Sequence, residues 1–378
     1  MEKTGTLMFE SATTDAFFAL LRAGLWEQSV VMEDTDRVDF EDVFAMAREQ
    51  TVMGLVAAGL EQNKARVPKS LLRPFLMHVF SLEDTNARMN GFIAELFSKL
   101  RGAEISACLV KGQGIARCYV RPLWRSAGDV DLLLDAENYE KAKLFLTPLA
   151  SKVEKETPSV KHLAMTLDSW EVELHGTLRG GVFRRMDEVI DAVQEETCAG
   201  GKVRIWDNAG TPVPLPDADG DIIFIFTHFL KHFFKGGIGI RQICDWCRLL
   251  WTYRDTIDLP LLERRLCAMR LMSEWKAFAA FAVQNLGMPE KAMPLYDPSV
   301  RWQQKARRIC SFILRVGNFG HKRDASYFRT KPYLVRKSIS LSRRLSDFAT
   351  HLRIFPMDSL RFLCVVLVNG FKAAIKGL

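Results

Sequence analysis

The chain contains no apolar run of the roughly 20 residues that a membrane-spanning helix requires. Its most apolar stretch, residues 362–371, reaches about half that length. That stretch therefore reads as a core or interface helix, or as an amphipathic surface helix with Lys372 and Lys376 beside it. There is no low-complexity tract and no internal repeat, which removes solenoid, collagen-like and disordered classes. The N-terminal MEKTGTLMFES lacks the basic-then-apolar pattern of a secretory leader. The eight cysteines are scattered at 108, 118, 198, 244, 247, 267, 310 and 364, so free thiols in a reducing cytoplasm are expected. Cys244 and Cys247 form a CxxC without a second pair, too few ligands for a zinc site and better read as two small hydrophobes on one helix.

What is present is ordinary globular material. At 378 residues, 48% apolar and 26% charged, the chain can bury a large core and divide into more than one domain. Its net charge of +7 is unevenly spread. Residues 301–378 carry 17 Lys and Arg against 3 Asp and Glu, while the first 300 carry 35 against 42. The basic last third can face RNA, a polyanionic substrate or a membrane surface, or can simply be a solvated helical face.

Apolar spacing predicts helices over 13–27, 40–62 and from Pro68 to about Leu100. The character changes near Glu104. Residues 105–110 have strand length, Lys111-Gly112-Gln113-Gly114 reads as a turn, and 115–119 as a short helix. Strands are expected at 129–135, 160–167 and 170–175, with a helix over 137–149 and a hairpin turn at Asp168-Ser169. That helix suits the crossover that a parallel neighbour of the 129–135 strand requires. Shorter strands fit 202–206 and 211–215. Helices follow from Asp217 to the end, broken at Pro260, Gly287-Met288-Pro289, Pro294, Gly317, Gly320, Pro332 and Pro356.

The chemistry concentrates in Gly128-Asp129-Val130-Asp131. On a strand, positions i and i+2 point the same way, about 6–7 Å apart along the backbone, so both aspartates share one face. Such an oxygen-rich pair suits Mg²⁺ shared with nucleotide phosphates. Upstream, the 111–114 turn opens a helix and can offer backbone N–H groups to a triphosphate. Downstream, Trp170-Glu171-Val172-Glu173-Leu174-His175 alternates strictly, placing Glu171, Glu173 and His175 on one face. Either glutamate can complete a three-carboxylate site or serve as a base. His175 can contact a phosphate or close the strand by a backbone hydrogen bond.

His228 and His232 stand at i, i+4 without a surrounding HExxH, and so read as cleft lining or ordinary packing. Arg241 and Asp245 have the same spacing and can form a helix ion pair. Lys235-Gly236-Gly237-Ile238-Gly239 lacks the rest of a P-loop and follows a helix, so it reads as a helix-to-helix connection.

The segments LVKGQGIARCYVRPLWRSAGDVDLLLD, WEVELHGTL and HFLKHFFKGGIGIRQICDWCRLL resemble a family of uncharacterised nucleotidyltransferases. That family belongs to the DNA polymerase β-like superfamily, alongside aminoglycoside and lincosamide nucleotidyltransferases. The dense likeness covers about 105–250. It implies an α+β fold: a polymerase-β-like core of mixed sheet with flanking helices, and mostly helical N- and C-terminal regions. The boundaries fall at 1–103 for the N-terminal helices, 104–216 for the catalytic core and 217–378 for a helical C-terminal domain. It further implies transfer of NMP from an NTP donor to an unidentified acceptor hydroxyl, with two Mg²⁺ ions that Mn²⁺ can replace.

Asp129 and Asp131 match the family's metal-binding aspartates, and Glu173 its third carboxylate. Lys111 and Gly112, followed by Gln113, stand where better-known relatives carry Gly-Ser; lysine adds a positive charge and the serine hydroxyl is lost. Arg125 occupies a position the family usually fills with arginine. Arg241, Asp245 and His175 join it as nucleotide contacts. Two rival readings remain: a binding or interaction protein that keeps the fold without turnover, and a membrane-surface or assembly factor acting through its cationic C-terminal helices.

Overall fold

The computed structural model describes residues 11–30, 32, 35–63, 66–157, 161–318 and 332–375. Residues 1–10, Val160, Gly320 and Lys376 lie outside them. The chain opens with helices, as its periodicity predicts. Helix α1 (Ala12–Trp26) starts at Ser11, whose hydroxyl accepts from the Thr14 N–H at 3.2 Å. The span expected as one helix over 40–62 is two, α2 (Phe40–Glu49) and α3 (Met53–Asn63). Thr51, at φ +55°, turns the chain between them; its left-handed backbone cannot continue an α-helix. α1 and α3 cross at very short range. A Cβ on Gly24 would lie 1.8 Å from the Leu55 carbonyl oxygen, and one on Gly59 2.0 Å from that of Leu20. Only glycine fits either position.

Helix α4 (Lys69–Gly102) is 34 residues long. It buries Asn86, Met89, Ile93, Leu96, Phe97 and Leu100, a three-to-four-residue stripe that packs beneath the sheet. The sheet has five strands in the order β1-β2-β5-β4-β3. β1 is Cys108–Val110, β2 Asp129–Leu133, β3 Lys152–Val153, β4 His162–Leu167 and β5 Trp170–His175. β1 runs antiparallel to β2, β2 parallel to β5, and β5 antiparallel to β4. The short helix α5 (Gly112–Ala116) follows β1, and α6 (Ala136–Leu146) supplies the crossover after β2. The β4–β5 turn is Asp168-Ser169, both at positive φ (+47° and +71°), the geometry of the tightest hairpins.

A second, two-stranded sheet, β6 (Val203–Asn208) and β7 (Thr211–Pro216), forms where short strands were expected. Helix α7 (Arg184–Cys198), which the sequence reading left unassigned, precedes it. Its mean hydropathy is low, but Met186, Ile190, Val193 and Thr197 form a buried stripe.

The rest is helical: α8 (Ala218–Lys235), α9 (Ile240–Tyr253), α10 (Leu259–Met269), α11 (Met272–Leu286), α12 (Val300–Val316), α13 (Tyr333–Ile354) and α14 (Pro356–Ile375). Pro260 sits in the first turn of α10 and Pro356 opens α14, positions where a missing N–H costs nothing. Asp217 caps α8, accepting from the Gly220 N–H at 2.8 Å. Lys235 to Gly239 joins α8 to α9, the helix-to-helix connection expected of it. Cys244 and Cys247 are buried on α9, and burial pushes both thiols above their ordinary range.

One hydrophobic core joins α1, α3, residues of β1 and α5, and α8 to α12. At its centre Trp246 meets Trp275 edge-on at 4.7 Å, with Phe226, Phe229 and Phe278 around them. Each such pair adds about 0.5–1.5 kcal/mol beyond area burial. A second core lies between the opposite sheet face, α4 and α6. The sheet is thus clamped between helices on both sides. In α14, Asp358 is buried against Arg185, while Val366, Leu367 and Val368 are exposed.

Candidate active site

Hydrogen-bond register brings the carboxylates together. β2 and β5 pair in parallel with Asp129 opposite Glu171 and Asp131 opposite Glu173. Ligand oxygens of Asp129, Asp131 and Glu173 all lie within 4.8 Å of one another. Glu171 is exposed at the strand end and outside this group. The three line a cavity of about 660 Å³ whose opposite wall is α8 and α9, bearing His228, Lys231, His232 and Arg241.

Three cationic or donor groups hold the carboxylates. The Lys111 ammonium donates to Asp131 Oδ1 at 2.8 Å, and His175 Nε2 meets the same oxygen at 2.6 Å. His162 Nε2 lies 3.1 Å from Glu173 Oε2, and His175 Nε2 3.3 Å from it. Hydrogen bonds from His162 and His175 hold Glu173 well below the ordinary carboxylate range. Burial opposes the charge on Asp131, but Lys111 and His175 outweigh it and lower its pKa. Among the described residues Asp129 has no such partner in direct contact; burial and the adjacent Asp131 raise its pKa. Burial also disfavours the Lys111 charge, yet Asp131 holds its pKa above the ordinary value.

The 111–114 turn is partly as expected. Lys111 adopts φ +59° and Gly112 φ +37°, and both line the cavity. Gln113 does not. Its amide points into the protein and donates to Asn86 Oδ1 at 2.9 Å, because α4 packs against this side of α5. Its side chain is thus turned away from the cavity.

Arg125 and Asp245 line the cavity and pair with each other. Arg125 Nε and Nη2 donate to the two Asp245 oxygens, both at 2.8 Å, and the Tyr119 hydroxyl adds a third bond at 2.7 Å. Both side chains are buried. This pair replaces the Arg241–Asp245 helix pair considered from spacing. It fixes the segment leading into β2, which Asn86 also grips by donating to the Leu123 and Arg125 carbonyls. Arg241 instead donates to the Ser126 carbonyl and leaves its Nε buried without a hydrogen-bond partner.

His162 and Lys231 are among the cavity residues that sequence reasoning missed as site residues. A signal for His162 existed: counting outward from the two-residue Asp168-Ser169 turn pairs it with His175. Lys231 lies three residues from His228 on the cleft-facing side of α8, and burial lowers its pKa to about 8. Burial also lowers His232 to about 3 and His228 well below its ordinary value, so both are neutral rings at neutral pH.

A family model described as an uncharacterised nucleotidyltransferase matches residues 36–287, two thirds of the chain. The chain belongs to this nucleotidyltransferase family. The match runs from α2 to the end of α11 and takes in the whole sheet and both cavity walls. No curated protein and no solved structure matches. Among the described residues, no helix is long and apolar enough to cross a membrane.

Proposed function

We propose that this nucleotidyltransferase moves an NMP from an NTP to an acceptor hydroxyl, with Asp129, Asp131 and Glu173 as its metal-holding triad. One observation carries the reading: three carboxylates from two parallel-paired strands converge within 4.8 Å at a cavity faced by a buried lysine and arginine. The donor set suits a hard divalent ion, since all three ligands are carboxylate oxygens. Magnesium, or manganese in its place, supplies neutralisation of the phosphates and a lowered pKa for the acceptor hydroxyl. Lys231 and the unpartnered Nε of Arg241 bind the negative charge of the triphosphate from the opposite wall. His228 and His232, as neutral rings, donate or accept hydrogen bonds to donor or acceptor.

The sheet is in this reading a polymerase-β-like core within 104–216. Residues 217–378 form the helical domain that selects the acceptor, and 1–103 pack against both. The basic last third favours an anionic acceptor or partner.

The test incubates the protein with each α-labelled NTP, Mg²⁺ or Mn²⁺ and a cell extract as acceptor source, beside the Asp129→Ala/Asp131→Ala variant. Label on an acceptor with the wild type alone supports the reading and names the base. One observation favours a second reading, a nucleotide-binding or interaction protein without turnover: the Lys111 ammonium sits directly on Asp131. That reading expects the wild type to bind NTP without label transfer.

A further inference from the structure

The face of the sheet that carries the triad also carries a nitrogen-rich set. His162 and His175 are directly opposite across β4 and β5, so both point to the same side of the sheet. Glu173, two residues before His175, shares that side. Its own cross-strand partner is Ala164, whose methyl leaves His162 room to lean across the hairpin onto the Glu173 carboxylate. The ligand atoms of His162, Glu173 and His175 all lie within 4.8 Å of one another. The two histidine–glutamate separations are 3.1 and 3.3 Å. Ligands held about 2.0–2.2 Å from a tetrahedral ion stand about 3.3–3.6 Å apart, so these edges already have nearly the required size. Asp131, at 2.6 Å from His175 Nε2, is within reach as a further ligand.

Two imidazoles with one carboxylate are a different donor set from three carboxylates. Imidazole favours borderline ions such as Zn²⁺, whereas an all-oxygen set favours Mg²⁺ or Mn²⁺. We propose that His162, Glu173 and His175 form a second cation site, selective for a borderline divalent ion such as Zn²⁺, which shares Glu173 with the carboxylate triad. A borderline ion bound there draws Glu173 toward the histidines and weakens the hold on a hard ion at Asp129 and Asp131. The protein thus carries a site at which one class of metal antagonises the other. The competition rests on the triad being a hard-ion site; the histidine site itself does not.

Metal-stripped protein is titrated with Zn²⁺ against a chromophoric chelator, and with Co²⁺ followed by its visible absorption. The wild type should take up about one equivalent tightly, with the absorption of a nitrogen-ligated low-symmetry site. His162→Ala should weaken uptake by at least about tenfold, and His162→Gln, which preserves bulk, should do the same if the alanine variant melts poorly. Asp129→Ala should keep Zn²⁺ uptake while losing Mn²⁺ binding measured by electron paramagnetic resonance. Zn²⁺ should displace Mn²⁺ from the wild type but not from His162→Gln. Equal Zn²⁺ affinity in wild type and both His162 variants would overturn the proposal. So would Zn²⁺ uptake that Asp129→Ala abolishes and His162→Gln leaves intact. Neither result touches the transferase reading, which is judged by label transfer in Mg²⁺ alone.

Discussion

The two walls of the cleft are built on different principles. On the sheet side, Asp129, Asp131, Glu173, His162 and His175 are placed by backbone register: one ladder sets their order, and pleat sets their direction. On the helical side, Lys231 and Arg241 are placed by side-chain packing of α8 and α9 against an aromatic core. The sheet wall is acidic, and Lys111, His162 and His175 hold its carboxylates by direct polar contacts. The helical wall holds buried positive charge whose partners are few. A polyanion bound between them would be gripped by the second wall directly, and by the first only through cations.

The sharpest way to break this contrast is at the sheet wall. Asp129→Ala/Asp131→Ala should lower label transfer by about a thousandfold or more, equivalent to about 4 kcal/mol of barrier. NTP binding should persist through the helical wall and be measurable by calorimetry. Loss of binding with transfer would mean the two walls are not separable.

The buried Arg125–Asp245 pair should act on stability. Asp245→Ala strands a buried guanidinium and should cost about 3 kcal/mol or more in urea unfolding. Arg125→Met/Asp245→Leu should recover most of it. A fall in NTP affinity with unchanged stability would instead make these residues ligand contacts.

Lys231→Met should weaken NTP binding by about tenfold, or about 1.4 kcal/mol. Its pKa of about 8 adds a pH signature. Because the folded-state value is lowered, the charge is present below pH 8 and lost as pH rises through it. Affinity should therefore fall across that range in the wild type, and only at higher pH in Lys231→Arg. Smallest of all, Asp217→Ala removes the cap of the helix that bears Lys231. It should cost about 1 kcal/mol of stability and leave NTP affinity unchanged; a matching loss of affinity would show the helical wall to be looser than the sheet wall.

The same contrast explains what could be read from sequence. Asp129, Asp131 and Glu173 were legible because a period of two is unambiguous, and the nucleotidyltransferase family match spans them. Register then separated Glu173 from Glu171, which alternation alone places on the same face. The side-chain partners of Gln113 and Asp245 were not legible, because a residue's turn or helix position does not reveal which neighbour packs over it: α4 for one, Arg125 from 120 residues away for the other. The break at Thr51 left no mark in the apolar spacing, since the periodicity continues on either side of it. α7 was overlooked because its charged residues outnumber its apolar ones.

The ammonium of Lys111 has one further consequence, for the order of events after synthesis. Many small metal sites are unfolded until the ion arrives, because only the ion can hold their ligands together. Here the chain supplies its own counter-charge at Asp131, 2.8 Å away. The architecture can therefore mature without waiting for a metal, and loading becomes a later, reversible event. Melting curves with and without a chelator should superimpose, while Asp131 unmasked by Lys111→Met should make the curve respond to added Mg²⁺. The lysine acts as a placeholder that keeps the site in shape until it is put to use.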